Sequence, residues 1–119
     1  MKSNFLRLAG VFALFLYVSR VAADGCSSFN TCNGVVEYVE LRANENHIFS
    51  LDVNFNELEK LPCQLTGDRY FTISNTIAKK EFLTAILSSY MGKRRVLVTV
   101  NPDSNPCGVA MVFLYPKGS

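Results

Sequence analysis

Residues 77–100 read IAKKEFLTAILSSYMGKRRVLVTV, and the rest of the chain is organised around this stretch. Leu83, Ile86, Leu87 and Tyr90 recur at spacings of three, one and three, the stripe of a 3.6-residue period, which predicts a helix. Ile77 and Phe82 extend the edges of the stripe, while Glu81, Thr84 and Ser88 form the opposite, polar side. Ser74, Asn75 and Thr76 precede it, each with a side-chain oxygen able to cap a helix start. Gly92 marks the expected end, since glycine takes the left-handed conformation there most easily. Val96, Val98 and Val100 then alternate with Leu97 and Thr99, a period of two that predicts a buried strand directly after the helix. Asn101-Pro102-Asp103 stops it, because proline lacks the amide that a central ladder needs. The expected core sets Leu83, Ile86 and Leu87 against Val98 and Phe49.

Upstream, residues 35–42 alternate, with Val35, Val39 and Leu41 on one face, Glu37 as the exception, and Glu40 and Arg42 on the other. Residues 47–54 place Phe49, Leu51 and Val53 inward and Ser50, Asp52 and Asn54 outward. The polar turn at 43–46 joins the two runs into a hairpin with one wet face. Residues 55–62 read as a loop, or as a short helical turn at Glu57-Leu58-Glu59-Lys60. Residues 69–73 predict a third strand, with Phe71 and Ile73 on one side and Tyr70 and Thr72 on the other. Downstream, residues 108–115 are apolar on both faces, the mark of a strand in a core or at an interface. They contain no charge or proline that would block pairing with a neighbouring strand. The order β-β-β-α-β-β is that of an OB-fold, a mainly β (α+β) Greek-key barrel of five strands with one helix between strands 3 and 4. Other small α+β folds thread the same order.

The chain opens with Lys2 and Arg7, an apolar run over residues 8–18, and the small residues Val21-Ala22-Ala23. This is the pattern of a secretory signal peptide over residues 1–23, its apolar run too short for a good membrane span. Cleavage after Ala23 leaves residues 24–119, 96 in all, enough for a single domain. It also removes Lys2, Arg7 and Arg20 from the 12 Lys and Arg, leaving 9 against 10 Asp and Glu, a net charge of −1. The basic balance of the whole chain is therefore no pointer to nucleic acid. All four cysteines, Cys26, Cys32, Cys63 and Cys107, lie after the leader. An even number in an exported chain implies disulfides. Three connectivities exist; Cys26–Cys32 with Cys63–Cys107 is favoured, a local staple and a tie between two loops. The spacings do not suit zinc, and no metal or other cofactor is expected.

The side chains that carry chemistry are few. His47 stands at a hairpin edge with no nucleophile and orienting group in view, and Glu57 with Glu59 reads as a solvated loop. The expectation is a protein with no catalytic residues. Lys93, Arg94 and Arg95 suit the negative end of the helix dipole, whereas Lys79 and Lys80 oppose its positive end. That conflict hints at an anionic partner or an acidic neighbouring subunit, although a plain solvated face is the favoured reading of the two lysines. Tyr38, Tyr70 and Arg69 would serve for single-stranded nucleic acid on such a barrel, but export and the net charge argue against it.

Cys32-Asn33-Gly34-Val35-Val36 opening the first strand, Cys63 before the third, Lys80-Glu81-Phe82-Leu83-Thr84-Ala85-Ile86-Leu87 leading to Gly92-Lys93, then residues 96–100 and Cys107, together resemble a known family. It is the small secreted OB-fold proteins related to the B subunits of AB5 toxins, the subtilase-cytotoxin and pertussis types above all. The resemblance spans nearly all of residues 24–119. It implies export from a Gram-negative bacterium to the periplasm or beyond, a homo-oligomeric ring of five, and recognition of cell-surface glycans. It also implies a pore lined by the helix face Glu81, Thr84 and Ser88; a toxin A subunit is a partner in part of the family, while many relatives have none. Asn33 occupies the position of a small polar residue that contacts sugar in the subtilase type. The sequence departs from the family at Phe29, where an acidic residue is expected, in the absence of a tyrosine on the strand after the helix, and in its cysteine positions. The alternative is a secreted or periplasmic protein-interaction module, an inhibitor or adaptor, with no sugar ligand.

Overall fold

The computed structural model describes residues 24–43 and 46–117. The leader assigned to residues 1–23 lies outside these. The elements are β1 (Gly25–Cys26), β2 (Thr31–Glu40), β3 (His47–Leu51), α1 (Phe55–Leu58), β4 (Phe71–Ile73), α2 (Lys79–Gly92), β5 (Arg95–Asn101) and β6 (Gly108–Leu114). They form a mainly β domain, one six-stranded sheet with two helices. The five expected strands and the helix between the third and fourth are present; β1 is an addition the sequence did not announce.

The hydrogen-bonded order is β1-β2-β3-β4-β6-β5, with a further pairing between β2 and β5. All pairings are antiparallel except that of β4 with β6, which meet at Thr72 and Gly108. The core is the inner face: Val36, Phe49, Leu51, Phe71, Ile73, Ile86, Val96, Val98 and Val100 are all buried. Phe49 and Phe71 stack at 5.2 Å between ring centroids. Each such side chain contributes about 1.5–3 kcal/mol when removed from water.

Sequence alternation misplaced the inner face of β2. Cys32 and Gly34 pair with the buried Val98 and Val96 of β5, so the even-numbered residues point inward and Val36, not Val35, enters the core. The register then slips by one between Val36 and Tyr38, a β-bulge at Glu37. Past the bulge the odd residue Val39 packs on the core, while Leu41 lies beyond the strand and is exposed. β3 also ends early: the Val53 amide turns back onto the Leu51 carbonyl at 2.9 Å. Ser50 and Thr72, expected outward, are buried, because β3 and β4 are covered on both sides.

The helix face is rotated from the predicted stripe. Ile86 and Ser89 are buried and Phe82 and Leu83 pack on the core, whereas Leu87 is only half-buried and Tyr90 is exposed. The shift has a polar cause: the Ser89 hydroxyl accepts the Val36 amide at 3.0 Å and donates to the Arg94 carbonyl at 2.5 Å. Ser74, Asn75 and Thr76 do not cap the helix. They form turns, with Thr76 N–H to Ser74 and Lys79 N–H to Thr76, and the cap residue is Ala78 with no side-chain bond. At the other end Gly92 is helical, and Lys93 takes the left-handed conformation at φ 55°. β5 must start within two residues, so the reversal falls one position later than the glycine.

Candidate functional site

Cys26 bonds Cys32 and Cys63 bonds Cys107, the favoured connectivity. The first link joins two residues already paired across β1 and β2. The second ties the loop before β4 to the start of β6, where the Cys107 amide donates to the Gln64 carbonyl at 2.7 Å and Asn105 Oδ1 accepts the Gln64 amide at 3.2 Å. Two disulfides fit an oxidising compartment, secreted or periplasmic.

Asn33 lies on the outer face of β2, between the inward Cys32 and Gly34. Register places it beside Leu97, which pairs with Phe113; Thr31, Thr99 and Met111 form the row on one side. On the other, Val35 pairs with Arg95, whose carbonyl accepts the Tyr115 amide at 3.0 Å. Three strands thus present one outward patch. The Tyr115 hydroxyl donates to Asn33 Oδ1 at 2.8 Å. The Arg95 guanidinium sits 5.2 Å from the Tyr115 ring centroid and donates from Nε to Asp24 at 2.8 Å. Phe113 meets Tyr115 edge-on at 5.2 Å, and about half of its surface faces solvent (52%). The patch therefore combines an exposed aromatic ring with an amide whose oxygen is held by tyrosine. Tyr115 is the site residue that sequence reading missed. Its signal was its place in phase with Met111 and Phe113 at the end of the last strand.

A second aromatic cluster lies on the outer side of β2, β3 and β4. Tyr38 and Tyr70 are 5.5 Å apart at 51°. The Tyr38 hydroxyl donates to Glu40, which also pairs with Arg42, and Arg69 pairs with Glu37 at 2.7 Å and lies 4.5 Å above the Phe55 ring. The bond from Tyr38 first, and then that from Arg42, holds the Glu40 carboxyl below its ordinary value, while the same bond to Glu40 pushes the Tyr38 phenol up. The structure thus brings together the three residues weighed for nucleic acid, but with carboxylates between them: Arg69 is bound to Glu37, and Glu40 stands beside the rings.

His47 has a structural partner, its Nδ1 accepting the Arg42 amide at 2.9 Å across the hairpin. Glu57 and Glu59 do not act as a pair. Glu57 accepts the Cys26 amide at 3.1 Å and pairs with Lys60 at 2.8 Å, whereas Glu59 lines an open cleft of about 720 Å³ beside α1. Lys60 first, and the Cys26 amide second, hold the Glu57 carboxyl below its ordinary value. Glu81 and Thr84 are exposed on α2, with the Thr84 hydroxyl donating to the Lys80 carbonyl at 2.9 Å, and Ser88 is half-buried. Comparison with protein-family models, curated proteins and solved structures found no match.

Proposed function

We propose that the chain is a secreted, non-enzymatic binding module of the OB type, recognising cell-surface glycan as a B-subunit-like homo-oligomer. The barrel reading is supported by the strand pairings, which run from β2 through β3, β4, β6 and β5 and return to β2. The observation that carries the ligand reading is the Asn33–Tyr115–Phe113 patch. Sugars are bound by apolar ring faces stacking on aromatic side chains and by planar polar groups meeting the hydroxyls. Phe113 offers the first, and the Asn33 amide, oriented by Tyr115, offers the second.

The assembly reading has its own support. β6 pairs with β5 along its length but meets β4 only at Gly108, so beyond Gly108 its other edge carries no strand among the described residues. Met111 and Phe113 are half-exposed on its outer face. An apolar strand with a free edge favours pairing with a second chain, and a closed ring, a pentamer by the resemblance, removes every such edge. In that ring the polar helix face Glu81, Thr84 and Ser88 turns toward the axis, where an A subunit would dock.

A glycan array on the oxidised residue 24–119 protein tests the ligand reading. Asn33→Ala and Phe113→Ala are each expected to weaken binding to every positive glycan by about tenfold or more. Unchanged binding in both variants sinks the site, and an array with no positive glycan sinks the ligand class in favour of a protein-interaction module. Light scattering that returns a monomer across micromolar concentrations refutes the assembly.

A further inference from the structure

Two surfaces of this domain look unfinished, and they are complementary. The first is a knuckle between β4 and α2. Ile77 is wholly exposed, at 103% of its reference surface, the most exposed large apolar side chain among the described residues. Lys79 and Lys80 follow it in the first turn of α2. Neither has an ion-pair partner among the described residues. Both oppose the positive end of the helix dipole, and only Glu81 offsets them there. Two cations thus stand in an electrostatically unfavourable place beside an exposed isoleucine, with Glu81 alone against them in that turn.

The second surface is the open cleft beside α1. Its lining is mixed: Phe55 is half-exposed, Leu58, Leu61 and Leu65 are buried at its base, and Gln64 and Asn105 are polar. Its only charged lining residues are Glu59 and Asp68. Glu59 has no ion-pair partner among the described residues, and Asp68 accepts only the Gln64 side-chain amide, at 3.0 Å. The other carboxylates nearby are spoken for, Glu57 by Lys60 and Glu37 by Arg69.

We infer that these surfaces meet between copies of the chain: Ile77 of one subunit packs on the half-exposed Phe55 at the cleft of the next, and Lys79 and Lys80 pair with Glu59 and Asp68 at its rim. The match sets Ile77 against Phe55 and two cations against two carboxylates. Because knuckle and cleft are different surfaces, the contact is head-to-tail, the kind that closes into rings rather than stopping at a dimer. The inference deepens the assembly half of the proposed function and is independent of the glycan half.

Sedimentation velocity on the oxidised protein tests it, with three variants. The double reversal Lys79→Glu/Lys80→Glu and the double reversal Glu59→Lys/Asp68→Lys are each expected to weaken self-association by about tenfold or more, most strongly at low salt. The protein carrying all four reversals is expected to regain association close to that of wild type. Reversal at the lysines also removes the dipole conflict, so at concentrations low enough that every variant is monomeric it should raise the urea midpoint, while association at higher concentration falls. A merely structural role would move both in the same direction. Ile77→Asp checks the apolar half, again with a loss of about tenfold. A wild-type protein that stays monomeric overturns both this contact and the assembly reading. An oligomer indifferent to every reversal overturns this contact alone. So does an oligomer that each double reversal breaks and the fourfold reversal fails to restore.

Discussion

Ser89→Ala is the substitution that most directly tests how the helix is anchored to the sheet. Ser89 is fully buried on the last turn of α2. Its hydroxyl satisfies two backbone groups that the fold leaves without ladder partners, the Val36 amide at the β2 bulge and the Arg94 carbonyl before β5. Removing the oxygen strands both in the interior. Each unpaired buried group costs about 1–3 kcal/mol, so the expected loss for the two is about 2–6 kcal/mol. That is a large share of the roughly 5–15 kcal/mol that holds a domain together. Urea unfolding of the oxidised protein should show the midpoint falling by roughly 2 M or more at an unchanged slope, for a slope of about 1–1.5 kcal/mol per molar. Thermal unfolding should fall by roughly 10 °C or more. Ser88→Ala is the matched control, one residue away and half-buried, and should change stability by about half a kcal/mol or less. Amide exchange at Val36 supplies a local readout: it is slow in wild type and fast in Ser89→Ala. A loss below about 0.5 kcal/mol, or a Val36 amide still protected, would refute the reasoning that the hydroxyl sets the rotation of the helix.

The helix face itself separates two further substitutions: Ile86→Ala should cost about 2–5 kcal/mol, while the half-buried Leu87→Ala should cost clearly less, in parallel urea titrations. Lys93→Gly should raise stability by about 1 kcal/mol, because a left-handed lysine at φ 55° carries a cost that glycine does not. Loss of the Cys63–Cys107 link by substitution to alanine should cost up to about 4 kcal/mol, against about 2 kcal/mol for Cys26–Cys32, since the closed loops span separations of 44 and 6 residues. For pH, Glu57 has a folded-state value below its ordinary 4.5, so its contribution is present above that value and is lost as pH falls through the lower one. Wild type should therefore exceed Glu57→Gln in unfolding midpoint at neutral pH, and the two should converge in acid; a difference that persists there would contradict the ionic origin.

The helix and the strand after it were legible because residues 77–100 carry two periods in succession, and each period belongs to one element. The order of the five main strands followed from turn signals between apolar runs. What the sequence misreported were phases, and each has a tertiary cause. Val35 and Val36 are equally apolar, so nothing local says which points inward. Pairing of Cys32 and Gly34 with β5 decides it, and the bulge at Glu37 then reverses it. Glu37 was already the misfit in the alternation, the trace that a one-residue insertion leaves in a sequence. Ser89 stood outside the apolar stripe read for the helix, yet it is buried. A serine on a buried face is intelligible only once the backbone groups it must satisfy are known, and those lie 53 residues upstream and five downstream.

The surfaces divide along the same line. Asn33 was named only through the resemblance, and the alternation of residues 35–42 put its phase inward. Its outer placement comes from the pairing with β5, and the hydroxyl that orients its amide comes from 82 residues away. The tyrosine pair was nameable from composition, yet the carboxylates that set its character became visible only when β2 and β4 came together around Glu37, Glu40 and Arg69. The lysines at 79 and 80 are the opposite case. Their conflict with the helix dipole is local, and so it was readable before any fold. The helix turned out to start at Lys79, with a cap that contributes no side-chain bond. Placing both cations in its first turn sharpened the conflict. A residue that local physics disfavours and the rest of its own domain does not compensate directs attention outward, to a surface of opposite charge. The acidic rim of the cleft beside α1 is such a surface, and it belongs to every copy of the chain.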